Sequence, residues 1–326
     1  MKRLKHLVLL STCLTIIISG CSFTTNKPYT KSAFYFDTVV TISIYSRSNR
    51  TILDECFKLC ETFENTVSKT IPTSDVSRIN AAQGRPVKVS DTTIYLLKKA
   101  IYYSEITNGA FDITINPLSE LWNIKENKGN IPTNSDIKNA LEHVNYKNIK
   151  INDNYVTLTD VEASIDLGGI AKGYLADYLK NFMVEKGVKS GIINLGGNVL
   201  TIGTKPDGTD FEIGIQRPFA EDGTIATSVL TNNSSVVTSG TYERYFEIEN
   251  EIYHHILDTD TGYPTKSGLY SVTILSEYSL EGDALSTACM VLGYENAYKL
   301  IHSIDNVDAI FITDNYQIID TRTTKK

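Results

Sequence analysis

The chain has 326 residues, with 31 Lys and Arg against 38 Asp and Glu, for a formal net charge of −7. That length accommodates one large domain or two intimate ones, and the acidic balance argues against a nucleic-acid partner and against a polybasic lipid-binding surface. An acidic protein that binds an anionic ligand needs a metal ion or locally positive dipoles at the contact.

Lys2, Arg3, Lys5 and His6 make a positive start, and Leu7 to Ser19 is apolar apart from scattered Ser and Thr. The stretch is too short for a stop-transfer span. It closes on Ile18-Ser19-Gly20-Cys21: small residues that a signal peptidase admits, then a thiol that can carry lipid. The expectation is a lipoprotein signal peptide over 1–20, lipidation at Cys21, and anchoring to the outer face of a cell membrane. An ordinary secretory signal with a chance cysteine is the alternative. Two or more acyl chains would make such anchoring stable. Loss of the leader would leave 306 residues with a charge near −10.

Ser22 to Lys31 reads as a polar tether, followed by a domain over 32–326. Val39 to Tyr45 alternates as a strand does. Leu53, Cys56, Phe57, Cys60, Phe63 and Val67 have helical spacing, and core packing is the favoured reading of the two cysteines over a disulfide or metal pair. A second helix starts with Asp91 as N-cap and stops near Asn108-Gly109, and a third runs from about Ser135. Residues 123–134 look like a surface excursion. Ser164 to Asp166 reads as a strand end, and Ala171, Leu175, Leu179 and Phe182 mark a helix that ends at Gly187. Residues 191–273 are mostly β. Helices over 282–293 and 295–304 and two short strands close the chain. Without a regular βαβ rhythm, the class is α+β rather than a doubly wound sheet.

Asp112, Asp166 and Asp283 each sit among small and apolar residues, where a carboxylate must be paired, hydrogen-bonded or metal-bound. Each is open to reading as a helix N-cap. Asp283 and Thr287 are four apart, so on a helix they face one side and suit a shared Mg²⁺. Asp166 to Lys172 contains a Gly pair before a helix start, which would turn backbone amides toward an anion, with Lys172 adding a full charge; a plain tight turn is the competing reading. His254-His255 fails as a zinc pair, because neighbours on a strand point to opposite faces. One of them facing a cleft and one held structurally both stay open. The segment after them lacks the acidic positions of a calcium loop. No Ser or Cys nucleophile has a visible partner triad.

In order along the chain, these motifs resemble one family, the FAD:protein FMN transferases of ApbE type. The matching stretches are Phe36-Asp37-Thr38, Ser74-Asp75-Val76-Ser77-Arg78-Ile79-Asn80, Gly109-Ala110-Phe111-Asp112-Ile113-Thr114 with Pro117-Leu118 and Trp122, Ile165 to Tyr174, Asn194-Leu195-Gly196-Gly197-Asn198, Gly214 to Pro218, Thr238-Ser239-Gly240 with Tyr242 and Arg244, His255-Ile256 with Asp258, Thr261-Gly262-Tyr263-Pro264, and Asp283-Ala284-Leu285-Ser286-Thr287. The resemblance implies a T-fold-like α+β unit of two lobes with mixed sheets and packed helices. It implies Mg²⁺-dependent cleavage of FAD, with FMN passed to a Thr or Ser of another exported or membrane-bound protein and AMP released. By the same resemblance, Asp283 and Thr287 hold the metal with the Gly169 carbonyl, and Ala110, Phe111 and Asp112 line the flavin pocket. Asp166, Lys172 and the Leu257 backbone contact FAD, and His255 assists deprotonation of the acceptor hydroxyl. Thr70 stands where many members place a flavin-stacking aromatic, and Phe36 is expected to take over part of that wall. An FAD pyrophosphatase that uses water instead of the acceptor, or a non-catalytic FAD-binding lipoprotein, are the competing readings.

Overall fold

The computed structural model describes residues 27–45, 50–127 and 129–324. The expected leader and Cys21 lie outside the described residues. Val40, Ile42 and Ile44 are fully buried, whereas Val39, Thr41 and Ser43 are not, so β2 (Thr38–Ile44) shows the period of two that a half-covered sheet imposes. It pairs with β1 (Tyr29–Tyr35), in register Tyr29↔Ile44 to Tyr35↔Thr38. The segment read as a tether therefore ends earlier, because Tyr29, Thr30 and Lys31 are already paired with Ile44, Ser43 and Ile42 in the sheet. The two-residue connection places Phe36 at φ 54 and Asp37 at φ 58, the left-handed pair that a tight hairpin of right-twisted strands requires.

Chain order continues with α1 (Thr51–Val67), α2 (Asp75–Asn80), β3 (Val87–Lys88), α3 (Asp91–Ile106), α4 (Asn116–Trp122) and α5 (Asn134–Leu141). Then come β4 (Ile149–Asn152), β5 (Tyr155–Leu158), α6 (Ala171–Glu185), β6 (Gly191–Leu195), β7 (Asn198–Ile202), β8 (Phe211–Gln216) and β9 (Ile225–Thr231). The last are β10 (Ser235–Gly240), β11 (Tyr245–Ile248), β12 (Glu251–His254), β13 (Leu269–Ser276), α7 (Ser279–His302), β14 (Asp308–Thr313), β15 (Ile318–Asp320) and α8 (Thr321–Thr324). Ser90, not Asp91, caps α3, its side chain accepting from the Thr93 amide. Ser164 makes only an isolated parallel bridge to Ile115 rather than ending a strand. The C-terminal helical span α7 is two helices that meet in a kink at Gly293, whose φ of 71 and ψ of 167 are not helical, as the sequence pattern expects.

Eight strands form one sheet in the order β1-β2-β6-β7-β10-β13-β14-β15. Every neighbouring pair in it is antiparallel, which bears out the α+β class. Alternation along the strands separates two faces. Ile274, Ala309 and Phe311 belong to the main core beneath α1, α6 and α7, while Val236, Ile310 and Ile312 pack with Ile215 and Val229 of the β8–β9 hairpin. A separate small core forms around Leu118, Trp122, Ile124, Ile137 and Leu257. Trp122 stacks on Tyr253 with centroids 5.9 Å apart and donates from Nε1 to the Gly262 carbonyl at 2.8 Å. Cys56, Cys60 and Cys289 are buried free thiols, so the i, i+4 cysteine pair is core packing. Among the described residues no helix is long and apolar enough to cross a membrane.

Candidate active site

A cleft of about 1300 Å³ is lined by residues of both cores, by the N-terminal turns of α6 and α7, and by the β1–β2 turn. It brings together Phe36, Thr70, Ala110, Phe111, Asp112, Asp166, Gly169, Lys172, His255, Leu257, Asp283 and Thr287. Residues up to 251 positions apart in sequence thus share one cavity, an outcome of tertiary packing.

Asp283 is 3% exposed and lies in the second turn of α7, not at its N-cap. Its Oδ2 accepts the Gly173 amide at 2.9 Å, and Lys172 Nζ lies 3.8 Å from its Oδ1. Thr287 follows one turn later on the same helix face, its Oγ1 within 3.3 Å of the Asp283 carbonyl and 3.4 Å of Ser239 Oγ. A Cβ added at Gly169 would stand 3.6 Å from Thr287 Oγ1, so the Gly169 backbone is beside the pair. One carboxylate, one hydroxyl and one peptide carbonyl are hard oxygen donors that suit Mg²⁺ when substrate phosphates and water complete its shell. No cluster of three or more His, Cys, Asp or Glu able to hold a metal exists among the described residues. A cation held by these three donors would take the rest of its shell from outside the protein.

Three amides of the turn before α6 are spent within it: that of Gly168 goes to Asp166 Oδ1 at 2.8 Å, and those of Ile170 and Ala171 go to the Leu167 carbonyl at 3.0 and 2.9 Å. Side chains add positive charge. Lys172 Nζ donates to the Gly168 carbonyl at 3.2 Å, and Lys69 Nζ pairs with Asp166 Oδ2 at 2.9 Å. Asp166 is itself held in place through Asn80, whose side-chain amide exchanges hydrogen bonds of 2.8 and 2.9 Å with the backbone of Ile165. Asn80 lies in a matched motif, but its role needs the fold to become visible.

Asp112 lines the cleft with both oxygens in use: Oδ1 accepts from the Thr114 amide and hydroxyl at 2.8 and 2.6 Å, and Oδ2 from the Tyr146 amide at 2.8 Å. Burial raises its pKa, against the pull of those three bonds. It shapes the wall that Ala110 and Phe111 present. Phe36 packs on Phe63 with centroids 5.8 Å apart and its amide donates to Glu64 Oε1 at 2.7 Å, which sets its ring at the cleft rim. Thr70 is exposed at that rim, and its neighbour Lys69 reaches inward.

The two histidines divide as strand geometry demands. His254 is buried, with Nε2 donating to the Thr265 carbonyl at 3.0 Å; its pKa falls to about 4, burial being the cause, and its role is structural. His255 lines the cleft, and its Nδ1 lies 3.3 Å from the Arg244 carbonyl. A carbonyl only accepts, so Nδ1 carries the proton and Nε2 is left with its lone pair. The protein walls around the ring and then the Arg244 charge push its pKa down to about 3, so the imidazole is neutral at ordinary pH. Glu243 and Arg244 line the cleft beside it, and crowding raises the Glu243 pKa while Lys172 and Arg244 oppose the rise. Neither had a role in the sequence reading, for a carboxylate in Tyr-Glu-Arg carries no local signal. Leu257 is buried at the cleft wall, where its bridge to Pro264 fixes the backbone.

The ApbE family model matches residues 36–311. A protein from Klebsiella pneumoniae (strain 342) named FAD:protein FMN transferase is 36% identical over 297 residues, covering 90% of this chain and 92% of its own. One of the same name from Treponema pallidum (strain Nichols) is 31% identical over 306 residues, covering 88% and 84%. Among solved structures, the ApbE protein of Thermotoga maritima superposes with a TM-score of 0.85 at 33% identity, over 92% of this chain and 98% of that one. The apo flavinyl transferase ApbE of Pseudomonas stutzeri gives 0.80 at 27% identity, over 91% and 96%. Matched over most of its length in both sequence and fold, the chain belongs to the ApbE family.

Proposed function

We propose that this protein is an FAD:protein FMN transferase that uses Mg²⁺ to cleave FAD and pass FMN to a Thr or Ser hydroxyl of an acceptor protein, releasing AMP. The observation that carries this reading is the placement of Asp283, Thr287, the Gly169 backbone and Lys172 in one cleft with an imidazole whose Nε2 is unprotonated. Asp283, Thr287 and the Gly169 carbonyl would hold the cation, which supplies charge neutralisation for the diphosphate when bound. Lys172 and Lys69 add positive charge beside it. Ala110, Phe111 and Phe36 form the apolar wall for the isoalloxazine. The acceptor oxygen forms a bond to the FMN phosphorus as the bond from that phosphorus to the AMP oxygen breaks. The hydroxyl proton passes to His255 Nε2, whose low pKa would rise beside an anionic diphosphate. A protein nucleophile is not required, because the partner brings one.

The test is to incubate the chain with FAD, Mg²⁺ and a candidate acceptor, following AMP release and covalent flavin fluorescence on the acceptor. AMP without a labelled acceptor, across the exported Thr- and Ser-bearing candidates, would mark a pyrophosphatase. FAD binding with no AMP, unchanged by Asp283→Ala, would mark a carrier. We also propose lipid anchoring at Cys21 on the extracytoplasmic face of the cell membrane, which makes exported or membrane-bound proteins the acceptors. Mass spectrometry of the mature N-terminus, and loss of membrane association in Cys21→Ala, check it.

A further inference from the structure

We propose that Asp177 is a positioning residue for the cation site: it locks α7 to α6 and so sets the spacing between the Gly169 backbone and the Asp283–Thr287 pair. The inference rests on the transferase reading and assigns a role that reading does not require.

The ligands come from two helices. Gly169 lies just before α6, and Asp283 and Thr287 lie on α7. The first turn of any helix leaves amides without an internal partner, and α7 has no side-chain cap of its own, with Tyr278 at its N-cap. Those amides are taken by the other helix: Ser279 N–H donates to Asp177 Oδ1 at 2.8 Å, and Leu280 N–H to Oδ2 at 2.9 Å. A hydroxyl cap would accept one amide and leave α7 free to pivot. A carboxylate accepts two successive amides at once and fixes rotation as well as position.

Four residues before Asp177, and therefore on the same face of α6, is Gly173. Its amide donates to Asp283 Oδ2 at 2.9 Å, and a Cβ there would lie 2.3 Å from the Ser279 carbonyl oxygen. Each helix thus contributes an acid to the amides of the other. One of those two acids is Asp283 itself. A half-buried carboxylate is a costly way to hold a helix end, and desolvation pushes the Asp177 pKa up to about 6 against the two amides and Lys180, with Glu281 reinforcing the rise. Tyr103, Tyr278 and Glu277 also face this region.

The test is a Mn²⁺ titration of the full chain by electron paramagnetic resonance, with ADP as the diphosphate probe, well below the Tm of every variant. Asp177→Asn and Asp177→Ala are expected to raise the Mn²⁺ Kd about 10- to 100-fold, the range for lost outer-shell support of a metal site. Ile301→Ala, a fully buried change at the far end of α7, is expected to lower Tm while leaving the Kd within about twofold. Asp177 variants that bind Mn²⁺ as the wild type does, or an equal loss in Ile301→Ala, overturn the role. A wild-type chain that does not bind Mn²⁺ with ADP overturns the cation site, and with it this assignment.

Discussion

Two glycines four residues apart lead to opposite expectations. At Gly173, a Cβ would stand 2.3 Å from the Ser279 carbonyl oxygen and 2.6 Å from the Leu280 Cα, both backbone atoms of α7. Relief to ordinary contact requires the helices to part by about 1 Å. Overpacking of this kind costs about 1–3 kcal/mol, which for a domain of this size lowers Tm by roughly 3–10 °C. The larger effect is on the site, since α7 carries Asp283 and Thr287. A displacement of about 1 Å in a reacting constellation costs on the order of 10²-fold in rate. At Gly169, by contrast, the nearest atom is the edge of the Phe111 ring at 3.1 Å. A ring can give by a few tenths of an ångström, and the backbone carbonyl remains in place. Steady-state AMP release and thermal melts on Gly173→Ala and Gly169→Ala check both. A Gly173→Ala enzyme within threefold of the wild-type rate, or a Gly169→Ala enzyme as impaired as it, would refute the reasoning.

Other expectations follow from the same geometry. Asp283→Asn keeps an acceptor for the Gly173 amide but removes the charge, so FMN transfer should fall by at least about 10³-fold while Tm changes little; near-normal transfer would remove Asp283 from the cation site. Because His255 is held neutral down to about pH 3, kcat/KM should show no acid limb near pH 6.5, and such a limb that vanishes in His255→Asn would show that its pKa is not depressed. The Asp177 pKa is raised in the folded state, to about 6, so that state binds the proton more tightly than the unfolded chain does. Stability from this group should fall as pH rises from about 4 to 6 and then level off. The total is at most about 3 kcal/mol, read as the pH dependence of urea melts that Asp177→Asn lacks. Burial pushes the Cys56 and Cys60 thiols up to about 12 and raises Cys289 as well. These three thiols should therefore resist Ellman's reagent in the native protein and react only on unfolding.

Much of the local structure is written in the sequence. The period of two over Thr38–Ile44 and the helical spacing of Leu53 to Val67 each bury the side chains that patterning selects. Asp283 and Thr287 share a face because a helix repeats near four. Those are properties of neighbours along the chain, and hydrophobic period alone determines them. Where several residues compete for one local role, the pattern was less exact. Ser90 holds the cap rather than its neighbour Asp91, because Asp75, distant in sequence, accepts the Ser90 amide and hydroxyl at 2.8 and 2.7 Å and fixes it there.

The site itself was decided by contacts that no spacing encodes. Lys69 meets Asp166, Asn80 holds Ile165, Arg244 sets the tautomer of His255, and Asp177 takes the first amides of α7. Each joins segments that only the packed sheet and helices bring within hydrogen-bond range. Sequence pattern reports which face of an element is apolar; it does not report which polar group waits on the element packed against it. The chain by itself determined its elements, its class and its family resemblance. The tertiary structure decided which carboxylates are spent on amides and which face the cleft, because that depends on distances across the fold.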